Sequence, residues 1–430
     1  MLFKEIGILD ENFDYKENMY VGVEHGKIDY IGPKKPPHDY GEEYDGKNKI
    51  LMPGFFNAHA HSPMALMRGY AENMTLQDWL FKRVFPFEAK LTSNSVYWGT
   101  LLCMAESLRF GIVSTSDMYY FMTDMGKAVL DSGCKMNLSR AIVSIDGSED
   151  FDHYPSVEEL KVAVKVYNGA ADGRIKVDSS LHAEYTSSEN VAMKLAELTK
   201  ELGINMQVHV AETLSEKEEC KERHQGRTPV RYLADCGILD PLTTAAHCVW
   251  LEDDDYQILR DKQVTVATNP CSNLKLASGV CDVARLLNEG VSVAIGTDSV
   301  SSNNSLDFLQ EIKTMALISK VRAKDPTVIT PKEAMYAATR AGALAQGRLD
   351  TGLLKQGYKA DLIVMRTDVP NMHPVHNMLN NIVYSASSGD IVMTMVDGKV
   401  LYRDGEYKTI DIEQAITETE KATQDILDRL

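Results

Sequence analysis

From about Pro53 to Gly352 the chain alternates helix-like and strand-like segments, and this alternation restricts the fold more than any other feature. Leu101 to Phe110 has helical spacing of apolar residues, and Gly111-Ile112-Val113-Ser114-Thr115 then reads as entry into a strand. Val191 to Leu202 reads as a helix and leads into the strand Ile204-Asn205-Met206-Gln207-Val208-His209. Thr243-Thr244-Ala245-Ala246-His247, Val264-Thr265-Val266-Ala267-Thr268 and Val291-Ser292-Val293-Ala294-Ile295 continue the pattern with helical stretches between them. Strands that return through helices form a parallel sheet. Repetition over ~300 residues favours a closed (β/α)8 barrel. A doubly wound sheet is the alternative, although no Gly-x-Gly-x-x-Gly follows an early strand.

The two ends differ from the middle. Near the start, Tyr20 to Glu24 and Ile28 to Ile31 flank His25-Gly26-Lys27, a hairpin signal. Near the end, Ala360 to Met365 reads as a strand, and Ile391 to Val396 and Val400 to Tyr402 flank Asp397-Gly398-Lys399. Asp411 to Leu430 reads as a polar amphipathic helix. The expected fold is α/β: a (β/α)8 TIM-like barrel over residues 53–352, with a small β-sandwich domain formed from both termini. Residues 1–52 supply its first part. Residues 353–430 supply its second part plus the C-terminal helix.

Charge narrows the partners. With 45 basic and 62 acidic residues the net charge is −17. That argues against nucleic acid and against anionic membranes, both of which need a basic surface. Seven cysteines without a C-x-x-C pair read as reduced thiols. With no leader-like start and no long apolar run, a cytoplasmic protein is expected.

Several of the eleven histidines fall at the C-terminal ends of the expected strands, where barrel enzymes place their chemistry. His59-Ala60-His61 follows an apolar run. Residues i and i+2 of a strand share a side, so two imidazoles can converge on one metal; two unrelated histidines near a loop is the plainer reading. His209 ends one strand and Glu212 follows three residues later, so both face one pocket only if the strand breaks near Ala211. His247 ends the next strand, and Asp298 follows Ala294-Ile295-Gly296-Thr297. Each could serve structure alone, as a buried histidine or a helix cap, yet together they form a set suited to a divalent ion.

These segments resemble the amidohydrolase superfamily. Pro53-Gly54-Phe55-Phe56-Asn57-Ala58-His59-Ala60-His61 is similar to its first-strand motif, and His209-Val210-Ala211-Glu212, Ala246-His247 and Gly296-Thr297-Asp298-Ser299 match later motifs in order. Leu66-Met67-Arg68-Gly69, Leu76-Gln77-Asp78-Trp79-Leu80, Glu88-Ala89-Lys90-Leu91-Thr92, the run from Asn269 to Gly279 and the run from Gly357 to Ile363 resemble, more narrowly, the 5-methylthioadenosine/S-adenosylhomocysteine deaminases.

The resemblance implies one divalent metal per subunit, zinc first with iron or manganese as alternatives, held by His59, His61, His209 and Asp298. His182, rather than a lysine, stands at the end of the fourth strand, and Lys176 lies too early, which implies a mononuclear site. It also implies hydrolytic deamination at C6 of an adenine ring. Glu212 would handle the ring N1 proton, His247 would orient the attacking water, and Asp298 would accept its proton. Glu88 is placed by resemblance at the ribose hydroxyls, and His182 and Arg140 around the nucleoside and its 5′ substituent, with Trp79 either near them or in the core. Ala141 to Gly173 contains no arginine, so S-adenosylhomocysteine is less expected than 5-methylthioadenosine, 5′-deoxyadenosine or adenosine. The partner implied is a small nucleoside, and a homo-oligomer is allowed.

Three other readings stand beside this one. The first keeps the fold but acts on a free base such as guanine or cytosine, a triazine-like amine or an amide. The second is a non-catalytic scaffold relative. The third is the H-x-E, P-C-x-x-C class of zinc deaminase, imitated by His182-Ala183-Glu184 and Pro270-Cys271, but Leu274 stands where its second cysteine belongs.

Overall fold

The computed structural model describes residues 1–144 and 150–430. Eight parallel strands make a closed barrel: Phe55–Ala60, Ile112–Met118, Lys135–Ser139, a fourth in two pieces (Ile175–Val177 and Ser179–Leu181), Met206–Val210, Thr243–His247, Thr265–Thr268 and Ser292–Ile295. The third strand resumes as Ala141–Ile142 and keeps register with the fourth, Met136 opposite Ile175 and Ala141 opposite Ser180. Closure comes from the last turn of the barrel. The Thr297 and Asp298 amides donate to the His59 carbonyl at 3.2 and 3.0 Å. The Asn57 side chain bonds the Thr297 amide at 3.0 Å and its hydroxyl at 2.7 Å. Gly296 makes this approach possible, since a Cβ there would stand 2.2 Å from Asn269 Oδ1 and 2.9 Å from the His59 Cβ.

The helices between strands follow local rules. Glu189–Leu202 starts at Ser188, whose side chain accepts the Val191 amide, and stops at Gly203, which has φ +63°. It buries Val191, Ala192, Leu195 and Thr199, one stripe at helical spacing. The expected strands were legible to within a few residues, and Thr243–His247 and Ile391–Val396 have the bounds read from sequence.

Both termini enter a nine-stranded sheet in which Lys49–Pro53 lies between Leu2–Leu9 and Leu362–Arg366. The two hairpins turn at His25-Gly26 and Asp397-Gly398, each with two residues at positive φ, as tight hairpin turns require. Alternation along the central strands divides them between two cores. Leu51, Leu362 and Val364 join a cluster with Phe3, Ile8 and Met393 inside the sheet. Ile50, Met52, Ile363 and Met365 face the other way and join the barrel core. The last helix, Ile412–Leu427, lies on the barrel helix Ser93–Arg109, where Thr419 Oγ1 donates to the Trp98 carbonyl at 3.2 Å. Among the described residues no helix is long and apolar enough to cross a membrane.

A buried cation joins sheet and barrel. Lys135, on the third barrel strand, bonds Asp361 and lies 2.6 Å from Asp397. Asp361 also accepts the Thr351 hydroxyl at 2.6 Å and the Asp397 amide at 2.9 Å. Removing one partner of a buried pair leaves an uncompensated charge. Lys135→Met should therefore lower unfolding stability by about 3–5 kcal/mol, read from denaturant midpoints; a loss below about 1 kcal/mol would show that the joint is held by apolar packing alone.

Candidate active site

The strand ends gather five histidines at the mouth of the barrel. His59 lies within the first strand and His61 just after it; His182, His209 and His247 come from the fourth, fifth and sixth. Two of the imidazoles are fixed by backbone. His61 Nδ1 donates to the Met118 carbonyl at 2.6 Å, and His209 Nδ1 donates to the His182 carbonyl at 2.7 Å. His209 Nε2 then presents a lone pair inward; at His61 burial opposes charge, but the hydrogen-bonded Asp298 carboxylate outweighs it and raises the imidazole to about 9. The two Nε2 atoms lie 3.4 Å apart, and Asp298 Oδ1 is 3.3 Å from His61 Nε2 and 3.7 Å from His59 Nε2. The other Asp298 oxygen is held by the Ser272 and Ser302 hydroxyls at 2.6 and 2.9 Å.

The donor set suits a divalent cation. His59 Nε2 is buried with no hydrogen-bond partner. Burial, then the neighbouring imidazoles, holds His59 and His209 well below the usual histidine range, so they have the neutral form that a divalent cation needs from an imidazole. Burial opposes charge on Asp298, but His61 and His247 outweigh it and keep the carboxyl ionised. Ligand atoms of His59, His61 and His209, and of His59, His247 and Asp298, form two groups each spanning no more than 4.8 Å. Lys176 is not part of this cluster: its Nζ donates to the Gly347 carbonyl at 2.6 Å.

Glu212 reaches the same cavity because the fifth strand ends sharply. Ala211 has φ +48°, a left-handed conformation that redirects the chain. Glu216 holds this bend, its two carboxylate oxygens accepting the Ala211 and Glu212 amides, both at 2.7 Å. Glu212 Oε1 accepts the Ser278 hydroxyl at 2.9 Å, and Oε2 faces His247 Nε2 at 3.8 Å. Burial raises the Glu212 carboxyl above its ordinary range, which suits a group that takes up and returns a proton. His247 is itself at φ +73°. Its Nδ1 faces the amide nitrogens of Asn273 and Asn269 at 2.9 and 3.2 Å. With Nδ1 accepting, Nε2 carries the proton toward Glu212.

The cavity holds about 420 Å³ and is lined by His61, His182, His209, Glu212, His247 and Asp298 on one side. Glu88, Arg140, Trp79, Tyr119 and Tyr120 line it elsewhere. Burial pushes the Glu88 carboxyl up to about 7, against the pull of nearby tyrosines and His61. Arg140 is paired with Glu159 at 2.6 Å. Part of the arginine-free stretch, residues 145–149, lies outside the described residues. The H-x-E, P-C-x-x-C imitation does not assemble: Glu184 bonds Arg223 and His224, while Cys271 Sγ lies 3.6 Å from the Thr314 hydroxyl.

Sequence reasoning missed the residues behind the strand ends. Asp117 accepts the Ser62 amide at 2.8 Å and the Ser62 hydroxyl, fixing the turn after His61. Nothing in the sequence marks Glu216 or Ser302 either. Asn269, Ser272 and Asn273 belong to a run that carries the family resemblance, which assigns them no role.

A parallel barrel with a histidine–aspartate cluster at its mouth defines a barrel hydrolase of the metal-dependent type. Residues 50–401 match the amidohydrolase family model, and the chain belongs to that family. It is 41% identical over 386 residues to a 5-methylthioadenosine/S-adenosylhomocysteine deaminase of Dictyoglomus thermophilum, covering 89% of each chain. It is 40% identical over 417 residues to a 5′-deoxyadenosine deaminase of Methanosarcina mazei, covering 97% of this chain and 95% of that one. Among solved structures, a zinc-containing adenosine deaminase from Xanthomonas campestris superposes with a TM-score of 0.91 at 27% identity, over 99% of this chain and 98% of that one.

Glu216→Ala frees both amides of the bend. Metal content should stay at the wild-type level while kcat falls about 100-fold, the cost of a misplaced reacting group. Equal loss of metal and turnover would instead place Glu216 behind the ligands.

Proposed function

We propose that this protein is a zinc-dependent hydrolytic deaminase that converts the adenine ring of 5-methylthioadenosine, S-adenosylhomocysteine or a related adenosine to hypoxanthine and ammonia. The observation that carries the reading is one cavity lined both by the histidine–aspartate cluster with Glu212 and by a second carboxylate, Glu88. The relatives' names support the substrate class. The expected division at residues 52/53 and 352/353 belongs to the same proposal, supported by the pairing of Lys49–Pro53 with Leu362–Arg366.

His59, His61, His209 and Asp298 would hold the metal, which supplies the Lewis acidity that makes water a nucleophile near neutral pH. Glu212, raised by burial, protonates ring N1 as C6 becomes tetrahedral. His247 presents Nε2–H to the attacking oxygen and steadies its charge. Asp298 takes the water's proton and passes it toward the leaving ammonia. The net change is one water consumed, the C6 amine lost as ammonia and a C6 carbonyl formed. Glu88 accepts hydrogen bonds from the ribose hydroxyls, and His182 borders the base.

The alternative of a free-base substrate is separated by Glu88, which such an enzyme would not need. Ammonia release from metal-loaded protein should be seen with 5-methylthioadenosine and 5′-deoxyadenosine and not with guanine or cytosine; the reverse pattern would reject the proposal. Glu212→Gln should keep its metal and lose about 10²–10⁴-fold in kcat. Because Glu88 titrates at about 7, protonation below that value removes an acceptor. KM for the nucleoside should rise as pH falls from about 8 to about 6 and stay flat in Glu88→Gln.

A further inference from the structure

The cavity wall away from the histidines carries a relay that the reaction steps do not use. It starts on the helix Pro155–Tyr167, where Glu159 is held twice: its Oε1 accepts the Met122 amide and its Oε2 accepts Arg140 Nη1, both at 2.6 Å. Arg140 occupies the break between Lys135–Ser139 and Ala141–Ile142. Its guanidinium carbon lies 4.8 Å from the centre of the Tyr120 ring. The Tyr120 hydroxyl in turn donates to Glu88 Oε2 at 3.3 Å.

Arg140 is the one lysine or arginine lining the cavity among the described residues. Its charge is already matched by Glu159, which takes one nitrogen of the guanidinium, Nη1, and is itself fixed by backbone, while Arg140 Nε is buried without a partner. A ligand carboxylate on the remaining nitrogens would be a second anion on one cation, and no second cation of the described lining offers compensation. Leu76, Trp79, Leu80, Val84 and Phe85 make the adjoining wall apolar. A cation over a phenol ring, by contrast, holds the ring in place and polarises its O–H toward an acceptor.

We propose that Arg140 is a positioning residue: held by Glu159, it fixes Tyr120, whose hydroxyl orients Glu88 for a ribose diol, and the site accordingly selects adenosines with a compact, uncharged 5′ group over carboxylate-bearing ones. The proposal rests on the adenosine reading above. It assigns Arg140 to the ribose end of the ligand instead of to a charged 5′ substituent.

The test compares 5′-deoxyadenosine with its analogue lacking both ribose hydroxyls, using metal-loaded full-length protein. Tyr120→Phe and Arg140→Met should each raise KM for 5′-deoxyadenosine about three- to tenfold, the worth of one hydrogen bond, with kcat changed less than about twofold. KM for the hydroxyl-free analogue should not move. Tyr120→Phe keeps the ring and the half-buried Arg140–Glu159 ion pair, so it reports even if Arg140→Met does not fold. Equal KM shifts for both compounds would overturn the proposal, because the effect would then not pass through the ribose hydroxyls. So would an Arg140→Met defect confined to S-adenosylhomocysteine, which would make Arg140 a carboxylate receptor. Wild-type protein inactive on every adenosine would instead reject the underlying reading, and this proposal with it.

Discussion

The barrel is closed by two backbone amides reaching one carbonyl, and the site depends on that contact. Thr297 and Asp298 donate to the His59 carbonyl, so the end of the eighth strand is fixed against the first. Two residues separated by most of the chain thereby become neighbours, and Asp298 Oδ1 comes to face both His59 and His61. Asn57 adds a side-chain clasp, and Gly296 supplies the space. Parallel strands alone would bring these side chains to one end of the barrel; the closure sets which of them touch.

Burial then decides their charge states. His59 and His209, deprived of water, lose the charged form, while Asp298 and His61 hold each other's charge against burial. The arrangement is held by groups outside the cluster: backbone carbonyls for His61 and His209, side-chain amides for His247, hydroxyls for Asp298. Left-handed backbone at Ala211, His247 and Asp298 occurs where strands end and side chains must be turned inward. Such conformations persist only where the surroundings over-determine them, and Glu216 does this for Ala211.

The strand ends were legible in the sequence because the barrel interior imposes apolar runs whose last residues are polar for no structural reason. His209 and His247 stood out on that ground, and the two hairpin turns were marked by their glycines. Asp117 and Glu216 carry no such mark. Asp117 acts on a backbone amide 55 positions away, and Glu216 sits on a helix whose other acidic residues are solvent-facing. Arg140 was legible as a candidate, but its partner Glu159 was not, since the pairing depends on how the outer helix packs against the barrel. Two-core alternation explains why Leu362–Arg366 reads as a strand, and the residues from Ile50 to Pro53 as an apolar run, without showing a polar face.

The shared sheet has a consequence for the order in which the molecule is made. Lys49–Pro53 needs Leu362–Arg366 on one side, and these emerge from synthesis with the entire barrel sequence between them. Until then the early strands present an open edge, and Lys135 has neither Asp361 nor Asp397. Contacts of such long sequence separation form late and slowly. Sheet and joint are therefore completed only once the chain has been made beyond Asp397.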